Sequence, residues 1–420
     1  MRLQQLNIEN FRGIREMRIH FHPQLNVFAG KNGAGKTTIL SALEKAIDIA
    51  RLNHVTGNER QNLENGTIIP PHDIRIGAEQ SRISLQFSLG GKTISTAVSS
   101  NPEEMSSDLI SHFSGAGVRL PHRSFSEERS TLTPVYRPNE NIISDATFGA
   151  DSRMGHTTSF EVSSPYPFAL ISEWEAVENS RLRKFIDSGK EFGKDHFEKD
   201  KTLQAVKNAI ADITGFANLF DDREKKAFTV QKRLGRGEEV FLFSQLSSGE
   251  QHLVTFVATI AVSLAVSFPR AENPLHGEAV FMVDAIELHL HPLWQREIIP
   301  RLLAAFPNCQ FVITTHSPQV LGNVRPESVF ILKETDDEVI YEKPDESYGM
   351  TMDRLLELVI EDESRPAELV REQLQSLFEH ISRKEFDDAG DIVRSLKPLI
   401  PTEPDLIRAE MMLHRKGLGL

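Results

Sequence analysis

The chain has 420 residues, 39% hydrophobic and 25% charged, which is room for two or three ordinary domains or one large α/β domain with an insertion. Its 47 basic and 60 acidic residues leave a net charge of −13, which argues against uniform coating of nucleic acid while allowing a local basic patch. The single cysteine, Cys309, excludes an internal disulfide and a cysteine-based zinc site and fits a reducing cytoplasm.

No apolar run approaches the roughly 18 residues of a membrane span, and the opening MRLQQLNIENFRGI lacks a signal-peptide layout. Residues 2–8 and 17–21 alternate apolar and polar positions as half-buried strands do, and LNVFAG (25–30) reads as a more buried strand. A glycine-rich turn then leads into a helix, with Ile39, Leu40, Leu43, Ala46, Ile47 and Ala50 at helical spacing. Residues 53–80 read as loop, and SRISLQFSL with GGKTISTAV as a hairpin turning on glycines. The stretch 99–166 is dense in Ser, Pro, Gly and Asn, with one β-like run at TLTPVYRP. From about 170 to 213 the pattern is helical, but no heptad repeat is sustained, which excludes a long coiled coil.

Residues 226–243 give a pair of strand-like runs and 247–268 a strongly apolar helix. A buried strand (279–284), a helix (293–306), a buried strand (CQFVITTHS) and two closing strands (ESVFILK, EVIYEK) follow. This alternation predicts a mostly parallel sheet with helices on both faces. Beyond 350 the chain is helical, with Leu374, Leu377, Phe378 and Ile381 forming one apolar stripe. That stripe suits either packing against the rest of the chain or docking a partner.

GKNGAGKT (30–37) fits the phosphate-binding loop G-x-x-x-x-G-K-[ST], and it lies between a predicted strand and a predicted helix as that motif requires. Glycines let backbone N–H groups approach phosphates, and the helix N-terminus adds partial positive charge. Lys36 would bridge the β- and γ-phosphates, and the Thr37 hydroxyl would bind magnesium. QLSSGEQ (245–251) is a Ser-Gly turn at a helix N-terminus, a second anion-binding arrangement. VFMVDA (280–285) is an apolar strand ending in a carboxylate, Asp284, suited to a magnesium ion. The paired His289 and His291 lack a third ligand at matching spacing, so packing or interface duty suits them better than metal. The acidic run Asp336, Asp337 and Glu338 reads as a solvated hairpin tip.

Together these motifs resemble the ABC-type ATPase heads of the SMC, RecF and OLD-like class. LSSGE is similar to their signature, FMVDAIELHLHP to their Walker B strand and following loop, TTHSP to their switch segment, and IENFRGI to their N-terminal strand and turn. The resemblance covers roughly residues 1–50 and 240–335. It implies an α/β fold: an ABC-type P-loop ATPase head with a mostly parallel sheet, an antiparallel β part, a helical insertion and a helical C-terminal tail. The expected divisions are an N-terminal lobe (1–98), a loop-rich and helical insertion (99–225), a C-terminal lobe (226–345) and a helical tail for partner docking (346–420).

The resemblance also implies two heads pairing head-to-tail around ATP and Mg2+. Asn32, Gly33, Ala34, Gly35, Lys36, Thr37 and Thr38 would hold the phosphates, Thr37 and Asp284 the metal, and His316 would act as switch histidine. Ser247, Ser248, Gly249 and Glu250 would complete the neighbour's site. The catalytic glutamate of such heads directly follows the Walker B aspartate, and here that position is Ala285. Three readings follow: a Glu→Ala change made to trap bound ATP, which is the reading taken; a natural non-hydrolysing head; or a catalytic Glu287. On an extended backbone Glu287 would stand about 7 Å further along, so it is not expected to substitute. The groups that hold adenine stay unassigned, with Arg12 and the 99–166 segment as neighbours of the site.

OLD-type nucleases carry a Toprim domain after the ATPase, whereas here only residues 317–420 follow His316, mostly helical and without spaced strand-end carboxylates. The tail is similar to PtuA-like ATPases of Septu and retron antiphage systems. That implies a separate HNH nuclease partner (PtuB-like), a reverse transcriptase with its RNA/DNA in retron settings, a homodimer or higher oligomer, and no membrane. The alternatives are a RecF-like DNA repair ATPase that binds DNA directly and a non-hydrolysing, nucleotide-dependent scaffold.

Overall fold

The structure, a computed structural model, describes residues 1–52, 69–89, 91–101, 135–137, 142–145, 158–160, 166–188 and 197–414, apart from 198, 226, 235–236, 269, 336–337, 361–367 and 402. Most of the 53–80 loop and of the 99–166 stretch therefore lies outside the described residues, as do Asp336 and Asp337. Two compact units emerge, Met1–Val359 and Ile360–Leu420.

The first unit opens with β1 (Arg2–Phe11), β2 (Ile14–His20) and β3 (Leu25–Ala29), followed by α1 (Lys36–Leu52), β4 (Arg82–Leu89) and β5 (Lys92–Ser99). Three short strands come next, β6 (Val135–Arg137), β7 (Ile142–Asp145) and β8 (Thr158–Phe160). Then follow α2 (Tyr166–Asp187), α3 (Lys201–Thr214), β9 (Ala217–Asp222), β10 (Ala227–Leu234), β11 (Gly237–Leu242) and α4 (Ser248–Ser267). The unit closes with β12 (Val280–Val283), α5 (Pro292–Ala305), β13 (Gln310–Thr315), the short α6 (Pro318–Leu321), β14 (Val329–Glu334), β15 (Val339–Glu342) and α7 (Met352–Ile360).

Three sheets form among the described residues. The strands β2-β1-β4-β5 form an antiparallel sheet whose alternating residues, such as Leu6, Ile8, Ile83 and Leu85, are fully buried. The order β15-β14-β3-β13-β12-β6-β7-β8 makes an eight-stranded mixed sheet. Its centre, β14-β3-β13-β12-β6, is parallel and its two margins antiparallel. Every residue of β3, β12 and β13 is buried, so these strands are mostly apolar on both faces and show no alternation. Helix α1 supplies Ile39, Leu40, Leu43 and Ala46 to the core shared by the antiparallel sheet and one face of the large one. The parallel centre matters for function, because it brings the C-terminal ends of β3, β12 and β13 side by side.

Two expectations need correcting. The stretch 217–222 forms β9, edge partner of β10 in a third sheet ordered β11-β10-β9, where helix and loop were expected. Its sequence, ANLFDD, is too polar and short to announce a strand, and pairing with β10 supplies what propensity does not. Helix α4, 20 residues at a mean hydropathy of 1.4, is long and apolar enough to cross a membrane, contrary to the expectation that no run approaches that length. Its residues from His252 to Val262 are all buried within the unit, so its apolarity belongs to a core helix surrounded on all sides.

The second unit holds α8 (Glu368–Arg383), α9 (Phe386–Leu396) and α10 (Pro404–His414). Leu374 and Leu377 of the stripe are buried against Ala389, Val393, Leu396, Leu406, Ala409 and Leu413, with Phe378 and Ile381 packed alongside. The stripe is therefore consumed by the unit's own three-helix core.

Candidate functional site

Strand β3 ends at Ala29 and α1 begins at Lys36, so the phosphate-loop sequence spans the turn between a buried strand and a helix N-terminus. Gly33 and Gly35 have φ of 85° and 89°, in the region that glycine adopts without the Cβ penalty. Asn32, Gly33 and Thr37 are exposed along this turn, Thr38 is half-buried and Ala34 is buried beneath it. Lys36 folds back over the loop and donates to the carbonyls of Gly30 at 2.8 Å and Lys31 at 2.6 Å. The residue is 5% exposed, and burial pushes its pKa down to about 8 against the opposing charges of Glu287 and Asp284.

Asp284 follows the last residue of β12 and meets Thr37, whose Oγ1 donates to the Asp284 carboxylate at 3.1 Å. Thr314 on the neighbouring strand β13 donates its hydroxyl to the same carboxylate, and that hydroxyl accepts the Ala285 N–H at 2.8 Å. A hydroxyl beside a carboxylate at the mouth of a glycine-rich turn is an all-oxygen donor set of the kind magnesium takes. The residues present thus fit a magnesium ion bound with a phosphate, held by Thr37 and Asp284.

After Asp284 the chain does not stay extended. Ala285 has φ of 49°, Ile286 N–H donates to Thr314 O at 3.1 Å, and Leu288 N–H donates to Ala285 O at 2.9 Å. The spacing that would carry Glu287 further along a strand is therefore replaced by a turn. Its carboxylate instead accepts from Thr315 Oγ1 at 2.7 Å and from the His316 N–H at 2.7 Å. His316 is exposed at the end of β13, beside the carbonyl of Gly30. Lost hydration on its protein side and then the charge of Lys36 lower its pKa, while Glu287, Gly30 and Asp284 oppose the shift.

Ser247, Ser248, Gly249 and Glu250 form a second group. Ser247 caps α4, and its hydroxyl and N–H both donate to Glu250 Oε2 at 2.9 Å. The other Glu250 oxygen pairs with Lys232 of β10. Burial pushes the Glu250 pKa up, but the bonds from Lys232 and Ser247 outweigh it and the carboxyl titrates below its ordinary value. Ser247 and Ser248 are exposed. Gly249 lies against the loop after β12, where a Cβ built on it would stand 2.3 Å from the His289 carbonyl oxygen. The His289 ring packs edge-on to His252 of α4, and His291 Nδ1 accepts from Leu293 N at the cap of α5, so the two histidines have separate packing duties.

The structure thus joins Lys36, Thr37, Asp284, Ala285 and His316 around the ends of three parallel strands. Glu287, weighed and set aside as a catalytic group, stands with them, as do Thr314 and Thr315, which were not singled out. The paired threonines of TTHSP were the available signal, since alternation along β13 sends one to Asp284 and the other to Glu287. Arg12, with φ of 51°, donates from its backbone N–H and its Nε to Asp73.

Two family models match: one described as "AAA domain, putative AbiEii toxin, Type IV TA system" over residues 25–322, and one described as "AAA domain" over residues 1–47. The chain is similar to the retron Ec83 probable ATPase of Escherichia coli, 24% identical over 88% of this chain and 78% of that one. It is likewise 24% identical to the Septu protein PtuA of Bacillus thuringiensis, over 95% of both chains. Among solved structures it resembles the SmcHead bound to the C-winged helix domain of ScpA, with a TM-score of 0.47, 14% identity, and coverage of 82% of this chain and 98% of that one. With the first family model running from β3 through the glycine-rich turn, the α4 cap, Asp284 and His316, this chain belongs to the AAA-domain family of the putative AbiEii toxin, type IV toxin–antitoxin description.

Proposed function

We propose that the chain is an ABC-type ATPase head of a bacterial antiphage system of the Septu and retron kind, pairing head-to-tail around ATP and governing a separate HNH nuclease. The observation that carries this reading is the division of anion-binding groups into two sets. Lys36, Thr37, Asp284 and His316 converge at the ends of parallel strands, while Ser247 and Ser248 cap α4 as an exposed turn of their own. An exposed serine turn at the start of a 20-residue helix, where the helix dipole favours an anion, suits a phosphate brought by another copy. The relatives named Septu PtuA and retron ATPase support the cellular setting. On this reading the chain works in the cytoplasm, and residues 346–420 dock the partner chain.

Each residue has a physical task. Lys36 would turn from the Gly30 and Lys31 carbonyls toward the β- and γ-phosphates, with the N–H groups of 32–38 around them. Magnesium, held by Thr37 and Asp284, would neutralise charge on the phosphates. His316 would meet the γ-phosphate, and a neighbour's Ser247 and Gly249 would close the site. At position 285 a methyl group cannot accept a proton from water, so ATP and the pair should persist while hydrolysis stalls. This matches a Glu→Ala trap, and it equally suits a nucleotide-locked scaffold.

The decisive measurement is the mass of the full chain by light scattering. Magnesium-ATP should double it, ADP should not, and Lys36→Ala should abolish the response. A monomer indifferent to nucleotide would sink the proposal. The buried ammonium adds a pH dependence. Below about pH 8 Lys36 is already charged and affinity for ATP should be flat. Above that, binding must take up a proton, so affinity should fall by up to about tenfold per pH unit. Equilibrium binding of a fluorescent ATP analogue across about pH 6.5 to 9.5 checks this; a flat curve contradicts it.

A further inference from the structure

Glu287 is a half-buried carboxylate in the candidate site that the proposed mechanism leaves without a role. Both of its oxygens are engaged, and by one partner segment: Oε2 by the Thr315 hydroxyl at 2.7 Å and Oε1 by the His316 N–H at 2.7 Å. The turn that aims it there is closed by Leu290 N–H donating to Glu287 O at 3.0 Å. A second clamp comes from Gln295 of α5. Its Nε2 donates to Leu290 O at 2.8 Å and its Oε1 accepts from Ser317 Oγ at 2.7 Å. The residues before and after His316, and its own amide, are thus all tied to the segment that follows Asp284.

A carboxylate whose two oxygens both hold donors from one neighbouring loop has its orientation fixed toward that loop. It is well placed to fix where that loop stands. We propose that Glu287 is a positioning residue that sets the His316 segment against the glycine-rich turn and so aligns the histidine for a bound γ-phosphate. Resting on the head reading above, this assigns the charge to geometry, with Glu287 acting through His316 and not on the reacting atoms.

Glutamine and alanine separate the possibilities. In Glu287→Gln the amide oxygen can still accept from the His316 N–H. Its nitrogen can donate to Thr315 Oγ1, because that hydroxyl accepts as readily as it donates. In Glu287→Ala both links are lost. The readouts are ATP-dependent pairing of the full chain, turnover of both variants combined with Ala285→Glu, and affinity for a fluorescent ATP analogue. Glu287→Ala should weaken pairing at least tenfold and cut turnover at least thirtyfold. Glu287→Gln should recover both to within about fivefold of the parent, and affinity should change by less than about threefold in either variant.

A glutamine variant as inactive as the alanine one would overturn the proposal in favour of proton transfer by Glu287. An alanine variant that pairs and turns over like the parent would overturn it in favour of a purely structural contact. Should the parent chain neither pair nor bind ATP, the head reading falls first, and the role given to Glu287 falls with it.

Discussion

The substitution Ala285→Glu is expected to raise steady-state ATP hydrolysis at least a hundredfold above that of the unmodified chain. A positioned general base contributes about 10²- to 10⁴-fold, and everything needed to place one is present. The Ala285 N–H donates to Thr314 Oγ1 at 2.8 Å, and the same hydroxyl donates to Asp284, so one side chain ties residue 285 and the preceding carboxylate together. The left-handed φ of 49° imposes no new strain, because alanine pays the same Cβ penalty that glutamate would. Affinity for ATP should stay within a few-fold, since Lys36, Thr37 and Asp284 are untouched. The ATP-bound pair should become short-lived, because product formation now dissolves it. Phosphate release at saturating magnesium-ATP measures the effect. A rate that stays at the unmodified level would refute the trapped-enzyme reading and favour the scaffold.

Gly249→Ala should have the second large effect, by a different route. The added Cβ would stand 2.3 Å from the His289 carbonyl oxygen, and a backbone atom cannot swing aside as a flexible side chain can. Either the α4 cap or the loop after β12 must shift. Overpacking of this kind costs about 1–3 kcal/mol, which for a unit of this size lowers Tm by a few degrees. The functional loss should exceed that cost, because both segments belong to the proposed interface. ATP-dependent pairing should weaken at least tenfold, while binding of ATP by the unpaired chain stays within about threefold, since the Lys36 turn is not involved. Pairing that survives unchanged would show that the turn's position is immaterial.

Much of the site was legible in the chain. GKNGAGKT announces itself because its pattern is local: glycine conformations, a lysine and a helix start within a few residues. β12 and the Phe311–Ile313 centre of β13 could be read from unbroken apolar runs, since a parallel strand covered on both faces favours apolar side chains throughout. The position of Glu287, expected further along an extended strand, was not legible, because it depends on the turn at Ala285 and on bonds from Thr314, Thr315 and His316, a neighbouring strand away. Lys232, the partner of Glu250, was not foreseen for the same reason: β10 reaches the α4 cap only through folding. The polar strand β9 and the inward-facing stripe of Leu374 and Leu377 had equally ambiguous patterns, which only their packing partners resolved.

By itself, then, the sequence determined the glycine-rich turn before α1, the buried strand that ends in Asp284, the serine cap of α4 and the histidine after β13. Each of these is written in adjacent residues whose backbone and side-chain chemistry acts locally. Tertiary structure alone decided that three strand ends would meet, that Glu287 would hold the His316 segment, and that Gly249 would touch the carbonyl of His289. Those are contacts between segments tens to hundreds of residues apart, and their geometry comes from strand order and loop closure, which no local pattern encodes.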